Sequence, residues 1–161
     1  MIVEYSKIYD EDIKNLLVEL QEHIKAIDIE GYNIIRDDYK ELYFNKTIEE
    51  INKYQGKMFL YKENEKIIGL VVGLINNDEE ETYDFKAPKR GRITELVVTK
   101  NARSTGVGSK LLKSMEDYLK SVDCKDILLG VFAYNEKAIK FYEKHGYHTR
   151  MMDMTKTSDY L

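Results

Sequence analysis

The first part of the chain changes from strand-like alternation of apolar residues to helical spacing. Met1–Tyr9 alternates apolar and polar residues, which predicts a first strand. Apolar residues then recur every three or four positions, which predicts a helix with Asp10 as its N-cap. Its apolar stripe is Ile13, Leu16, Leu17, Leu20 and Ile24. Residues 28–44 show no clear period, and Thr47-Ile48-Glu49-Glu50 fits a capping box that would open a short helix ending near Tyr54.

The middle of the chain predicts three strands. Met58–Glu63 and Lys66–Ile75 flank the turn-forming pair Asn64-Glu65, a pattern typical of a β-hairpin. A polar stretch over residues 76–90 follows. The apolar, β-branched run at 93–98 then predicts a further strand.

The last third predicts a long helix, a buried strand, a short helix and a final strand. The stripe of the long helix is Val107, Leu111, Leu112, Met115, Tyr118, Leu119 and Val122. The buried strand covers residues 127–132, and Asn135 is a good N-cap for a short helix that Gly146 ends. A final strand is expected near 147–156. The order β-α-α-β-β-β-α-β-α-β indicates an α/β protein.

The loop between the 92–98 strand and the long helix carries candidate chemistry. Its sequence is Arg103-Ser104-Thr105-Gly106-Val107-Gly108, followed by Ser109. The first N–H groups of a helix lack intrahelical partners, and the helix dipole favours negative charge there. Glycines let a bulky anion approach the backbone, and arginine adds a fixed positive charge. The pattern predicts a phosphate or pyrophosphate site, and the plain alternative is a tight turn.

Two common nucleotide motifs do not fit this loop. A Walker A loop needs Gly-Lys-Ser/Thr, whereas Ser109 separates Gly108 from Lys110. A Rossmann fingerprint needs a third small residue where this chain has Leu111.

The loop matches the pattern Arg/Gln-x-x-Gly-x-Gly/Ala, and a second block follows it. That block, Asn135-Glu136-Lys137-Ala138-Ile139-Lys140-Phe141-Tyr142-Glu143-Lys144-His145-Gly146-Tyr147, has Asn, then Ala three later, then Phe-Tyr and Gly-Tyr. Together, over residues 91–155, they resemble the GCN5-related N-acetyltransferase (GNAT) family. The resemblance implies a mixed, twisted central sheet with helices on both faces. Its two parallel strands, 92–98 and 127–132, would splay apart around the pantetheine arm of acetyl-CoA.

The resemblance also assigns site residues. A strand N–H freed by a bulge would bind the acetyl oxygen, the loop would bind the pyrophosphate, and Asn135 would hydrogen-bond the pantetheine arm. The cofactor-binding residues would be Leu96, Val97, Val98, Arg103, Ser104, Thr105, Gly106, Val107, Gly108, Ser109, Asn135 and Ala138. Glu95 would take the amine proton, and Tyr142 would steady or protonate the leaving thiolate. The alternative for Glu95 is a solvent-facing residue or an ion pair with Arg92.

The implied function is N-acetyl transfer from acetyl-CoA, as co-substrate, to a primary amine by direct attack in a ternary complex. The net charge of −4 favours a small cationic amine as acceptor. The alternatives are a protein or peptide N-acetyltransferase and a non-catalytic acyl-CoA-binding module.

Two further groups of residues concern the acceptor. Asp78–Glu81 would be a solvated loop or would steer a cationic amine. Four aromatic residues would line the acceptor pocket or pack the core: Tyr32, Tyr39, Tyr43 and Phe44.

Composition bounds the setting. The 161 residues suit a single domain, 1–161, with 34% charged and 43% hydrophobic residues. The acidic balance argues against nucleic-acid binding. There is no apolar run of membrane-spanning length and no signal-peptide pattern at the N-terminus. The lone Cys124 fits a reducing, cytoplasmic location.

His145 and His148 straddle Gly146, so no metal site is expected. Many members of the resembled family are dimers, so a homodimer is an expectation from the resemblance alone.

Overall fold

The computed structural model describes residues 1–76 and 88–156. The described elements are β1 (Ile2–Glu4), α1 (Asp10–Ile27), α2 (Tyr39–Lys53), β2 (Lys57–Glu63), β3 (Lys66–Asn76), β4 (Arg90–Val98), α3 (Val107–Ser121), β5 (Asp126–Leu129) and α4 (Glu136–Lys144). Short 3₁₀ turns, Lys7–Tyr9 and Lys100–Ala102, precede α1 and follow β4. The chain forms two compact units, Met1–Gly130 and a second unit from Val131 onward. The acidic stretch Asp78–Glu81 lies outside the described residues.

The first unit contains a mixed five-stranded sheet in the order β1-β2-β3-β4-β5. Neighbours from β1 to β4 are antiparallel, and β4 and β5 are parallel. This confirms the predicted mixed sheet with an adjacent parallel pair. The predicted hairpin is also correct, since Asn64 and Glu65 join β2 to β3 with φ values of 47° and 64°.

Helices cover both faces of this sheet, as the family resemblance implies. Val72 of β3 belongs to the apolar cluster that includes Ile13 and Leu17 of α1. Its neighbour Gly73 faces the other side, where a Cβ would clash with the sulfur of Met115 in α3. Successive residues of a strand point to opposite faces, so α1 and α3 pack on opposite sides of the sheet.

Two predicted helix starts, at Asp10 and at Thr47, are wrong. Thr47 does not start a helix, because α2 already begins at Tyr39. Thr47 is buried in the middle of α2, and its hydroxyl donates to the Tyr43 carbonyl at 2.8 Å. Asp10 is the first residue of α1 rather than its N-cap, and its carboxylate accepts from the Tyr5 hydroxyl at 3.0 Å. The first strand ends at Glu4, well before the predicted Tyr9.

The strand predicted at 127–132 is shorter and less buried than expected. β5 ends at Leu129, which forms the last residue pair with β4, opposite Ile93. Val131 and Phe132 are exposed.

The final strand predicted near 147–156 is wrong. None of residues 147–156 is in a strand, and Met151, Met152 and Met154 are exposed. A strand needs a hydrogen-bonded neighbour. Among the described residues of the second unit, 131–156, no other strand is present to pair with this segment.

Candidate active site

A β-bulge in β4 decides which way Glu95 points. Val72 pairs with Glu95 and Gly73 pairs with Ile93, so Thr94 is an extra residue on β4. Before the bulge, Gly91 faces Leu119 of α3, where a Cβ would come within 2.6 Å. After it, Val97 belongs to the cluster that packs against α1. Without the extra residue these two positions would share a face. The bulge therefore turns Glu95, like Val97, toward the α1 and α2 side.

Glu95 is a buried carboxylate held by a tyrosine. Its residue is 8% exposed, and the Tyr43 hydroxyl donates to its Oε1 at 2.5 Å. Burial raises the pKa of Glu95 to about 7, while the Tyr43 hydrogen bond and the Lys46 charge oppose the rise and the Glu50 charge adds to it. The solvent-facing alternative for Glu95 is wrong. Arg92, the partner in the ion-pair alternative, is exposed, whereas the side chain that contacts the buried Glu95 carboxylate is Tyr43. A carboxyl group with this pKa can accept and release a proton near neutral pH.

The four aromatic residues proposed for acceptor pocket or core separate into three groups. Phe44 is 5% exposed and belongs to the core, whereas Tyr32 is exposed. Tyr39 and Tyr43 stack with ring centroids 5.0 Å apart and nearly parallel planes. Burial, and then the charge of Glu95, raises the pKa of both hydroxyls. The structure thus brings two tyrosines of α2 next to the buried carboxylate of β4.

The end of β4 has an edge that β5 does not cover. β5 stops opposite Ile93, whereas β4 continues to Val98. The Thr99 N–H donates to the Ile68 carbonyl at 2.9 Å, so Thr99 bonds toward β3. Because the direction of N–H groups alternates along a strand, the Val97 N–H also points to β3. The N–H groups of Leu96 and Val98 point toward the uncovered edge. Of the three predicted positions, Leu96 and Val98 therefore fit the role of donor and Val97 does not.

The loop after β4 has the predicted arrangement of a strand, a short loop and a helix N-terminus. Ser104 and Gly106 both have positive φ, 64° and 86°, and Gly106 is the N-cap of α3. The Thr105 hydroxyl donates to the Ala102 carbonyl at 2.7 Å. The Lys110 N–H donates to the Gly106 carbonyl at 3.1 Å, within the first turn of the helix, and the N–H groups of Val107 and Gly108 precede this bond. Together with the neighbouring Ser109, they form the candidate anion site.

Arg103 is held by the protein on two sides. Its Nε donates to the Val98 carbonyl at 2.9 Å, and its Nη2 lies 3.5 Å from a carboxylate oxygen of Glu19 in α1. The same carboxylate accepts from the Thr99 hydroxyl and the Lys100 N–H. The sequence analysis did not identify Glu19 as a site residue. The sequence offers one hint: Glu19 is a charged residue close to Leu16 and Leu17, which are buried positions of the same helix.

The second unit carries the remaining predicted site residues on α4. The Asn135 side chain caps this helix by accepting from the Ala138 N–H at 3.3 Å, as predicted. Gly146 ends it with φ of 88°. The Tyr142 ring lies edge-on against the rings of Phe141 and Tyr147, at centroid distances of 5.2 and 5.6 Å. The cofactor role of Asn135 and Ala138 and the catalytic role of Tyr142 stay predictions.

The described part of the chain has neither a cluster of metal ligands nor a helix that could span a membrane. Within residues 1–76 and 88–156, no three His, Cys, Asp or Glu residues cluster as metal ligands would. No helix among these residues has the length and apolar character needed to cross a membrane.

Comparison with known proteins gives a consistent result. The sequence profile of the Acetyltransferase (GNAT) family matches residues 19–147. Glucosamine 6-phosphate N-acetyltransferase of Arabidopsis thaliana is 24% identical over 133 residues, which are 83% of this chain and 87% of that protein. Spermine/spermidine N1-acetyltransferase of Bacillus subtilis strain 168 is 25% identical over 122 residues, 74% of this chain and 70% of that protein.

A solved structure supports the fold independently. The crystal structure of a mutant of the BH1408 protein from Bacillus halodurans superposes with a TM-score of 0.85. The match covers 98% of each chain at 20% identity. At that identity the likeness concerns the fold alone.

Proposed function

The chain belongs to the acetyltransferase (GNAT) family, which uses acetyl-CoA as acetyl donor, and from this premise we propose that it acetylates the primary amine of a small cationic acceptor. The reaction is a direct attack of the amine on the thioester carbonyl in a ternary complex. The amine loses a proton, the carbon–sulfur bond breaks, and CoA leaves as a thiol.

The observation that carries this proposal is the bulge at Thr94. It turns the buried carboxylate of Glu95 toward α1 and α2, and the backbone N–H groups of Leu96 and Val98 follow Glu95 directly along β4. A protonated alkylamine has a pKa of ~10.4 and must lose a proton before it attacks. Glu95 takes that proton, directly or through water, because its pKa near 7 matches the working pH. The uncovered N–H groups then stabilise the negative charge that develops on the acetyl oxygen.

The loop after β4 supplies the anchor for the donor. The N–H groups of Val107, Gly108 and Ser109 at the start of α3 suit the pyrophosphate of CoA. This loop follows the uncovered edge of β4 directly. A donor bound with its phosphates at the loop can extend its pantetheine arm along that edge, with the thioester toward Glu95.

The chemistry around Glu95 favours a cation as the acceptor. The stacked rings of Tyr39 and Tyr43 are aromatic surfaces of the kind that attract ammonium groups, and the ammonium of Lys46 already lies 5.8 Å from the centre of the Tyr43 ring. Glu95 and Glu50 add negative potential, and the chain as a whole carries a net charge of −4. The Bacillus subtilis relative is named for spermine and spermidine, both polycations. We infer an alkylammonium or polyamine acceptor.

An acceptor panel tests the proposal. The full chain is incubated with acetyl-CoA and spermine, an aminoglycoside, glucosamine 6-phosphate or a peptide with a free N-terminus, and thiol release is recorded. We expect the highest kcat/KM with the polyamine or aminoglycoside. A preference for the sugar phosphate or the peptide would overturn the choice of acceptor. CoA binding without thiol release above hydrolysis for any amine would identify a non-catalytic acyl-CoA-binding module instead.

A matched pair of variants tests the role of Glu95 with the best acceptor. Loss of a general base costs about 10²–10⁴ in rate, so Glu95→Gln should lower kcat by that range. Glu49→Gln makes the same chemical change at an exposed position of α2 and should leave kcat unchanged. A deficit below twofold in Glu95→Gln at every pH would assign the proton transfer to water alone.

A further inference from the structure

The carboxylate of Glu19 is placed where three donors of the segment between β4 and the loop converge. The Lys100 N–H donates to Oε1 at 2.8 Å, and the Thr99 hydroxyl donates to Oε2 at 2.9 Å. Arg103 Nη2 lies 3.5 Å from Oε1. About 80 residues of sequence separate Glu19 from these partners. One side chain of α1 thus fixes the backbone and two side chains of a distant segment.

These contacts hold the segment from which the candidate anion site begins. Thr99, Lys100 and Arg103 span the whole connection from the end of β4 to Ser104, including the 3₁₀ turn Lys100–Ala102. The Val98 carbonyl holds Arg103 from the other side through Nε. Ser104 and Gly106 follow at once with positive φ. Only Ser104, Thr105 and Gly106 separate Arg103 from α3, so a shift of the preceding turn would re-aim the N–H groups of Val107 and Gly108.

The charge of Glu19 is compatible with an anion site at the end of the same loop. An unpaired carboxylate near a bound anion would repel it, since like charges repel. Here the side chain is 20% exposed and paired with Arg103. Its charge is balanced by a guanidinium and a backbone N–H, so it can hold the loop without opposing a phosphate.

We propose that Glu19 is a positioning residue for the phosphate-binding loop: it fixes Thr99, Lys100 and Arg103 so that the first N–H groups of α3 meet the diphosphate of CoA. The proposal rests on the proposed function in one respect, that CoA is the ligand of this loop. Glu19 itself touches neither the thioester nor the acceptor.

The test compares donors with and without the diphosphate. Glu19→Ala removes all three contacts. Glu19→Gln keeps one oxygen, which can accept from the Lys100 N–H, and gains an amide NH2, which can donate to the Thr99 hydroxyl oxygen. Loss of a charge-assisted hydrogen bond corresponds to about tenfold in affinity, so the Kd for CoA should rise about tenfold in Glu19→Ala and less in Glu19→Gln. The value of kcat/KM for S-acetylpantetheine, which lacks the diphosphate, should stay within twofold. Glu22→Ala, an exposed position of the same helix, is the matched control for both donors.

A double variant tests whether Glu19 acts through Arg103. Residues in one network are not additive, so Glu19→Ala combined with Arg103→Ala should weaken CoA binding little more than the worse single change. Additive losses would mean that the two residues act independently and would overturn this part of the proposal.

Three results would overturn the role of Glu19 as a whole. The first is an unchanged Kd for CoA in Glu19→Ala. The second is an equal loss with S-acetylpantetheine, which would make Glu19 a residue of general stability. The third is a Glu19→Gln variant as weak as Glu19→Ala with a lowered melting temperature in both. A wild-type chain that fails to bind CoA in calorimetry would instead refute the proposed function, and this proposal with it.

Discussion

The Tyr43 hydroxyl donates to the Glu95 carboxylate across 2.5 Å, and this contact joins α2 to the bulge of β4. Burial pushes Glu95 toward its protonated form, and the hydrogen bond from Tyr43 pulls it back toward the carboxylate. The balance leaves the pKa of Glu95 at about 7. A carboxyl group with the usual pKa would be ionised at neutral pH but a weaker base.

Tyr43→Phe should shift the pH profile of the enzyme upward. The change keeps the ring and removes a hydrogen bond that lowers the pKa of Glu95, so the ionised form appears at higher pH. One hydrogen bond to a charged group corresponds to about one pH unit or more. The midpoint of the acidic limb of kcat should therefore move up by about one unit, with a lower kcat at pH 7. The measurement is kcat between pH 5.5 and 9.

Tyr39→Phe is the control for this shift. Tyr39 stacks on Tyr43, and its hydroxyl feels the charge of Glu95, but the hydrogen bond at Glu95 comes from Tyr43. Its midpoint should move less. Equal shifts in the two variants would show that the ring environment, and not the Tyr43 hydroxyl, sets the pKa of Glu95.

Burial of Glu95 should also be visible in the stability of the fold. The pKa of Glu95 is raised from about 4.5 to about 7, so between these values the folded chain holds a proton that the unfolded chain has released. The contribution of this group is therefore fully present below about pH 4.5 and is lost as the pH rises through 7. Two to three pKa units correspond to about 3 kcal/mol. Glu95→Gln lacks this dependence.

Urea denaturation at pH 5 and pH 8 measures the difference. Relative to wild type, Glu95→Gln should gain up to about 3 kcal/mol in free energy of unfolding between the two conditions. Glu49→Gln, exposed on α2, should follow wild type at both. Parallel pH curves for wild type and Glu95→Gln would mean that Glu95 titrates like an exposed glutamate.

Sequence reasoning identified the parts of the fold that local chemistry decides. The hairpin turn at Asn64-Glu65, the Asn135 cap and the loop before α3 depend on residues a few positions apart, and all three are present. Thr47 shows where local reasoning fails. Its capping pattern is overruled by tertiary burial, which extends α2 back to Tyr39 and places Thr47 inside the helix.

The contacts that shape the candidate site were out of reach of a single sequence. Tyr43 and Glu95 are 52 residues apart, and Glu19 and Lys100 are 81 apart. Neither pair has a fixed spacing that a motif could encode. The bulge at Thr94 was expected from family resemblance, but its position, and so the choice of Leu96 and Val98 over Val97, required the register between β3 and β4.

Gly106→Ala should weaken CoA binding because of backbone conformation, not crowding. No atom lies within 4 Å of a Cβ built at Gly106, but its φ is +86°. An L-residue in this region costs about 1–2 kcal/mol, or changes the turn and re-aims the N–H groups at the start of α3. We expect a Kd for CoA about five- to thirtyfold higher.

Gly31→Ala is the matched control for Gly106→Ala. Gly31 also has a positive φ, +73°, with open space around it, and it lies far from the loop in sequence. Both variants should lose similar stability, but only Gly106→Ala should lose affinity for CoA in calorimetry. Similar Kd values for CoA in the two variants would show that the loop at Gly106 does not bind the cofactor.

Tyr142 lies on α4, the helix that Asn135 caps. Family resemblance assigns its hydroxyl to the departing sulfur of CoA. The pKa values of a phenol and a thiol are close, near ~10 and ~8.5, so a neutral tyrosine can protonate or steady the thiolate as it forms. Tyr142→Phe keeps the ring and its edge-on packing against Phe141 and Tyr147, so the melting temperature should change little. The value of kcat should fall by about ten- to a thousandfold, as for loss of one proton-transfer group, while the Kd for CoA stays the same.

Tyr147→Phe is the control. It removes the hydroxyl of a ring that packs against Tyr142 and should leave kcat unchanged. Wild-type kcat in Tyr142→Phe would limit this residue to packing and leave protonation of the thiolate to solvent.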